Sequence, residues 1–106
     1  MIDIHKLTIK DAREALSSKK FTAKELAQAY LDNISKVNKD INAYLEVYDD
    51  VLKQADAADE KISKGETSPL LGIPMGIKDN ILIKGKRATS GSNLPWVVLQ
   101  KILLMV

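Results

Sequence analysis

Cysteine is absent from the 106 residues, which excludes disulfides, thiolate catalysis and cysteine-based zinc sites and makes a reducing cytoplasm the expected compartment. Histidine occurs once, so neither a histidine-based metal site nor a His-dependent triad is expected. Charge of one sign is not in excess: 16 basic and 14 acidic residues leave a net charge of +2, too balanced to argue for nucleic acid or an anionic membrane as partner. The opening stretch, MIDIHKLTIKDAREALSSKK, has no apolar run and carries charge at Asp3, Lys6, Lys10, Asp11, Arg13 and Glu14, so it reads as neither signal peptide nor anchor. Residues 97–106 are rich in apolar side chains but are far shorter than the roughly 20 residues a bilayer span requires, so the bland reading is a buried strand or helix. The sequon Asn33-Ile34-Ser35 reads as polar helix surface, since a cytoplasmic chain meets no glycosylation machinery.

What is present suits one small globular core, with 45% hydrophobic residues. Thr8 followed by Asp11 looks like a helix start, and Ile9, Ala12, Ala15 and Leu16 recur at helical spacing up to Ser17 and Ser18. A second helix starts at a capping box, Thr22 with Glu25, with Phe21 and Leu26 at staple positions. Leu26, Tyr30, Ile34 and Val37 draw its apolar stripe, and Asn38-Lys39-Asp40 is expected to end it. Ile41, Ala43, Leu45 and Val47 then alternate with Asn42, Tyr44, Glu46 and Tyr48, the period of a half-buried strand with the first set facing in. Asp49 or Asp50 should cap a third helix whose buried face is Val51, Ala55, Ala58 and Ile62, and Gly65 stands where a left-handed residue is wanted.

From Pro69 the texture changes to LLGIPMGIKDNILIKGKRATSGS, with glycine and proline inside an apolar run, which rules out a regular helix. The expectation is a loop feeding a short buried strand at residues 75–77, a second extended stretch at 81–83, and a solvated basic turn containing Lys84, Lys86 and Arg87. Lys78 closes the first strand. A lysine acts as a general base only when neutral near pH 7, a state favoured by burial among apolar groups or by a neighbouring positive charge. Ile73, Met75 and Ile77 could supply the burial, while Gly72, Pro74 and Gly76 would allow a substrate close to the backbone. The bland reading, a strand-end lysine paired with Asp79, stays open on these grounds. A phosphate-loop reading fails in detail, because Ile77 separates Gly76 from Lys78 and Asp79 occupies the place of the magnesium-binding hydroxyl. The cluster Thr89-Ser90-Gly91-Ser92 is either a turn or a wall near the lysine.

The run Leu70-Leu71-Gly72-Ile73-Pro74-Met75-Gly76-Ile77-Lys78-Asp79-Asn80, with Ala88-Thr89-Ser90-Gly91-Ser92 after it, resembles the first conserved block of the amidase signature family. The helices before it and the Ile41-Asn42-Ala43-Tyr44 segment are similar to the branch formed by the A subunits of glutamyl-tRNA(Gln) amidotransferases. The resemblance covers residues 1–92. It implies an α/β fold with helices packed on a mixed sheet, of which this chain would hold a mainly helical amino-terminal fragment. It also implies amide hydrolysis by a Ser, cis-Ser, Lys triad in which Lys78 takes a proton from a bridging serine that activates the nucleophile. Glutamine would be the substrate, and subunits B and C the partners. The tRNA would be contacted mainly through the partner, which would use ATP and magnesium, with no cofactor in this chain and no substrate-binding residue assigned.

The family's two serines belong to a glycine- and serine-rich block that these 106 residues do not contain, so the chain alone is expected to be inactive. Residues 93–106 depart from the family pattern and are read as an atypical apolar tail produced by a frameshift or premature stop. The downstream DNA, translated in its other frames, should then encode the missing block. Two alternatives remain at this point: another amidase of the same family, and a non-catalytic helical fragment that binds the partner subunits through the Leu26, Tyr30, Ile34, Val37 stripe.

Overall fold

A computed structural model describes residues 2–78, 80, 81, 83, 85, 86 and, for the backbone, 101–104. Among them the chain forms α1 (Ile9–Ser17), α2 (Ala23–Ile41), α3 (Val51–Ser63), β1 (Pro74–Ile77) and β2 (Lys101–Leu104). The strands pair antiparallel with Pro74 opposite Leu104 and Ile77 opposite Lys101. The mixed sheet that the resemblance implies is not among these elements.

The helix starts follow the local chemistry. Thr8 Oγ1 accepts the Asp11 amide at 3.1 Å, and the Thr22 and Glu25 side chains each accept the other's backbone N–H at 3.1 Å. Those short-range bonds leave the first two amides of α2 without partners, and a residue from α3 takes them: the Asp59 carboxylate accepts Ala23 N–H at 2.6 Å and Lys24 N–H at 3.1 Å. Helix ends are equally defined. At α1 the Lys20 amide reaches back to Ala15 O and the Lys19 amide to Leu16 O, with Lys19 itself left-handed at φ 60°. At α3 the same double bond pattern runs from Glu66 to Lys61 and from Gly65 to Ile62, with Gly65 at φ 89° as its position in the sequence implied.

The core joins Ala12 and Leu16 of α1, Ala23, Leu26 and Ala27 of α2, Val51, Ala55 and Ala58 of α3, and Tyr48, Leu71 and Ile73 from the connections. Alanine dominates where α2 and α3 meet, which lets the helices approach closely, and Leu26 and Val51 fill the centre. Burying each of those two side chains contributes about 2 kcal/mol. The α2 stripe is therefore used internally: Leu26 is buried and Tyr30 and Ile34 pack against the core, leaving only Val37 exposed, at 38%.

Two expectations fail between α2 and α3. Helix α2 does not stop at Asn38 but runs to Ile41 and ends on Asn42, left-handed at φ 52°. The residues that follow form no strand, and at most of them the facing departs from the one read from polarity. Ile41, Ala43 and Leu45 are exposed, Tyr44 and Glu46 are half-buried and Tyr48 is buried, while Val47 packs against the core and Asn42 is exposed as the alternation implied. The cause is Asn38. Its side chain faces Tyr44, donating from Nδ2 to the Tyr44 carbonyl and accepting the Tyr44 amide on Oδ1, both at 2.9 Å. The amide thus substitutes for a neighbouring strand and turns the Tyr44 face inward.

Candidate functional site

The Leu70 to Lys78 stretch is secured at its start and released at its end. Two successive turns, Leu71 N–H to Ser68 O at 3.1 Å and Ile73 N–H to Leu70 O at 3.0 Å, insert Leu71 and Ile73 into the helical core. Gly72 lies between them at φ 80°, where a Cβ would stand 3.2 Å from both Ala23 Cβ and Leu16 Cδ1 and 3.3 Å from Ile62 Cδ1. Only glycine combines that backbone with that closeness. From there β1 carries the chain outward along α2, agreeing with the expected strand at 75–77 apart from one added residue.

At Gly76 the tyrosine turned inward by Asn38 meets the strand. A Cβ on Gly76 would lie 3.1 Å from the Tyr44 hydroxyl and 3.2 Å from its ring. The Cβ side of each glycine thus faces the protein's own side chains, Gly72 within the core and Gly76 against Tyr44, while Gly76 itself stays exposed. Tyr30 has its phenol pushed up from its ordinary value by burial and by the neighbouring Tyr44.

Lys78 stands immediately after β1 with its side chain exposed, and its carbonyl accepts the Ile81 amide at 3.0 Å. The apolar enclosure expected from Ile73, Met75 and Ile77 is not built by the described residues: Ile73 points into the helical core, while Met75 and Ile77 are half-buried on the strand. Asn80 and Ile81 are also exposed, and the turn from Lys78 to Ile81 replaces the start of the expected extended stretch. Asp79, Leu82, Lys84, Arg87, the Thr89 to Ser92 cluster and residues 93–100 lie outside the described residues, so pairing of Lys78 with Asp79 does too.

The basic turn holds a further correction. Lys86 is not a solvated lysine: its Nζ donates to Asp50 Oδ1 at 2.9 Å and sits 4.1 Å from the centre of the Tyr48 ring. Its side chain is only 23% exposed. The hydrogen bond from Lys86, with a smaller one from Gln54, holds the Asp50 carboxyl below its ordinary range against a modest opposing effect of burial. Asp50 does precede α3 as expected, but its side chain makes no capping bond and serves the lysine instead. Nothing in the sequence separated Lys86 from its neighbours Lys84 and Arg87, because the pairing spans 36 positions.

The larger hollows are elsewhere. An open groove of about 830 Å³ runs between the amino-terminal segment and α2, with Ile2, Leu7, Phe21 and Ala29 among its apolar walls and Asp3, Glu25 and Asp32 among its acids. It contains no residue of the Leu70 to Lys78 stretch. No group of histidine and acidic residues able to hold a metal ion occurs among the described residues, and none of their helices is long and apolar enough to cross a membrane.

The family profile described as Amidase matches residues 25–95, which take in most of α2, all of α3 and β1, and Lys78. The chain belongs to the amidase family. Within the family it is 46% identical over 95 residues to the A subunit of a glutamyl-tRNA(Gln) amidotransferase from Methylorubrum populi, an alignment covering 89% of this chain and 19% of the relative. A protein of the same name from Ruminiclostridium cellulolyticum is 44% identical over 94 residues, covering 88% of this chain and 19% of that one. Another from Acinetobacter baumannii is 38% identical over 95 residues, covering 89% and 19%. This amidase chain thus spans about a fifth of the length of the curated relatives it matches.

Proposed function

We propose that the chain is the amino-terminal part of an amidase that releases ammonia from glutamine for conversion of Glu-tRNA(Gln) to Gln-tRNA(Gln), the A subunit of a glutamyl-tRNA(Gln) amidotransferase. The observation that carries this reading is the 46% identity, sustained across 89% of the chain, to a protein of that name. Lys78 is its catalytic base. What supports the role is its place in the stretch that the amidase profile matches; the enclosure that a neutral lysine needs would come from groups outside the described residues.

In this reading Lys78 accepts a proton from a bridging serine, the bridging serine takes one from the nucleophilic serine, and the latter attacks the amide carbonyl of glutamine while backbone amides stabilise the oxyanion. Both serines come from a glycine- and serine-rich block absent from these 106 residues, so this chain alone forms no acyl-enzyme. The complete enzyme has helices on both faces of a mixed sheet and works in the cytoplasm with subunits B and C. The partner uses ATP and magnesium and makes most of the tRNA contacts. A helical interaction fragment acting through the α2 stripe is less well supported, because Leu26 lies in the chain's own core.

The experiment is glutamine hydrolysis by two proteins. The purified chain should release no ammonia; turnover that Lys78→Ala abolishes would overturn its inactivity. A hybrid joining residues 1–92 to the downstream region of the Methylorubrum populi relative should hydrolyse glutamine, and Lys78→Ala should lower its kcat by about a thousandfold or more. An active hybrid indifferent to Lys78→Ala would remove Lys78 from the mechanism.

A further inference from the structure

The backbone on either side of Lys78 is held by one short segment, residues 44–50. Before the lysine, Gly76 lies under the Tyr44 ring, with a distance of 3.1 Å from its Cβ position to the hydroxyl. After it, Lys86 reaches Asp50 at 2.9 Å and covers the Tyr48 ring at 4.1 Å. Two turns connect these anchors: the Lys78 carbonyl accepts the Ile81 amide and the Ile83 carbonyl accepts the Lys86 amide, each at 3.0 Å. Between them, Asn80, Ile81 and Gly85 are exposed and Ile83 is half-buried, so burial orders this stretch only in part.

We propose that Lys86 is a positioning residue for Lys78: its ion pair with Asp50 and its stacking on Tyr48 fasten the far end of the double turn and thereby fix the backbone that carries the base. The tether has a firm base. Tyr48 is 4% exposed, and Val51, which follows Asp50, is 1% exposed, so both partners of Lys86 sit on core-anchored backbone. A cation over an aromatic face gains electrostatic attraction, and the gain increases as the cation leaves water, as a lysine only 23% exposed has largely done. Arginine could replace lysine here, since its guanidinium also pairs with carboxylates and stacks on rings, whereas methionine would keep the packing and lose both electrostatic contacts.

The inference rests on the reading of Lys78 as the base, but its test does not use activity, so the two can fail separately. Amide hydrogen exchange on the 106-residue chain reads the order of the double turn at Ile81 and Lys86 and the stability of the core at Leu26 and Ala58. In Lys86→Met the Ile81 amide should exchange about five to ten times faster while Leu26 and Ala58 keep their rates, and Lys86→Arg should restore Ile81 to within about twofold of the parent. Asp50→Asn, which removes the charge and retains an acceptor, should move Ile81 in the same direction by less. An unchanged Ile81 rate in Lys86→Met, an equal acceleration at Leu26 and Ala58, or no rescue by arginine would each overturn the proposal.

Discussion

Asn38 and Tyr44 exchange two hydrogen bonds of 2.9 Å, with the asparagine side chain presenting donor and acceptor to the tyrosine's backbone as an adjacent strand would. This places Tyr44 over Gly76 and so connects the end of α2 to the strand that leads to Lys78. Asn38→Ala removes both bonds and should cost about 1–3 kcal/mol, measured by urea denaturation. Asn38→Asp keeps the acceptor but sets a second oxygen against the Tyr44 carbonyl, so it should be no better than alanine. A stability equal to the parent in either variant would show that the extended segment does not need the asparagine.

Asp59 satisfies two amides at the start of α2, one of them on a residue with no solvent exposure. Asp59→Ala should destabilise by about 2 kcal/mol, at the upper end for loss of a helix cap because the orphaned Ala23 amide is buried. Asp59→Asn retains one acceptor and should lose about half as much. Thermal or denaturant unfolding compares the two.

Gly72 and Gly65 both have positive φ, but only Gly72 is crowded. Gly65→Ala should therefore cost about 1 kcal/mol for backbone conformation alone. Gly72→Ala adds overpacking against Ala23, Leu16 and Ile62 and should cost about 2–4 kcal/mol. The difference between the two midpoints isolates the packing contribution, and equal losses would show that the core gives way without cost.

The Lys86 to Asp50 pair makes stability depend on pH. Because the folded carboxyl is held below its ordinary value, its contribution is fully present above the unfolded value of about 3.9 and is lost as pH falls through the folded value. The size is that of a partly exposed ion pair, at most about 1 kcal/mol, since Asp50 is 42% exposed. Asp50→Asn should flatten the acid end of the stability profile by that amount, and Lys86→Met should do the same. A profile of unchanged slope in both variants would show that the pair contributes nothing measurable.

Much of the helical layout was legible. Thr8 with Asp11, Thr22 with Glu25 and Gly65 after α3 act through bonds to residues at most four positions away, so the residue types alone announce them. The length of α2 was not legible, because Asn38 ends helices by local preference but here spends its side chain on Tyr44. The same pairing turned Tyr44 inward and left Ile41, Ala43 and Leu45 outside: alternation specifies that successive side chains oppose each other, and burial of Ile41 and Leu45 was inferred from polarity alone.

By itself the sequence determined the family, through the block ending at Lys78 and Asn80, and the helix boundaries that depend on neighbours in the chain. Only the tertiary structure decided what the block's residues touch. It set internal side chains against the Cβ sides of Gly72 and Gly76, moved Lys86 from solvent to Asp50, supplied Asp59 to the start of α2, and left Lys78 exposed beyond the strand. The reason is physical: most of these contacts join residues far apart in the chain, and their energies depend on how whole helices pack, which short-range spacing does not encode.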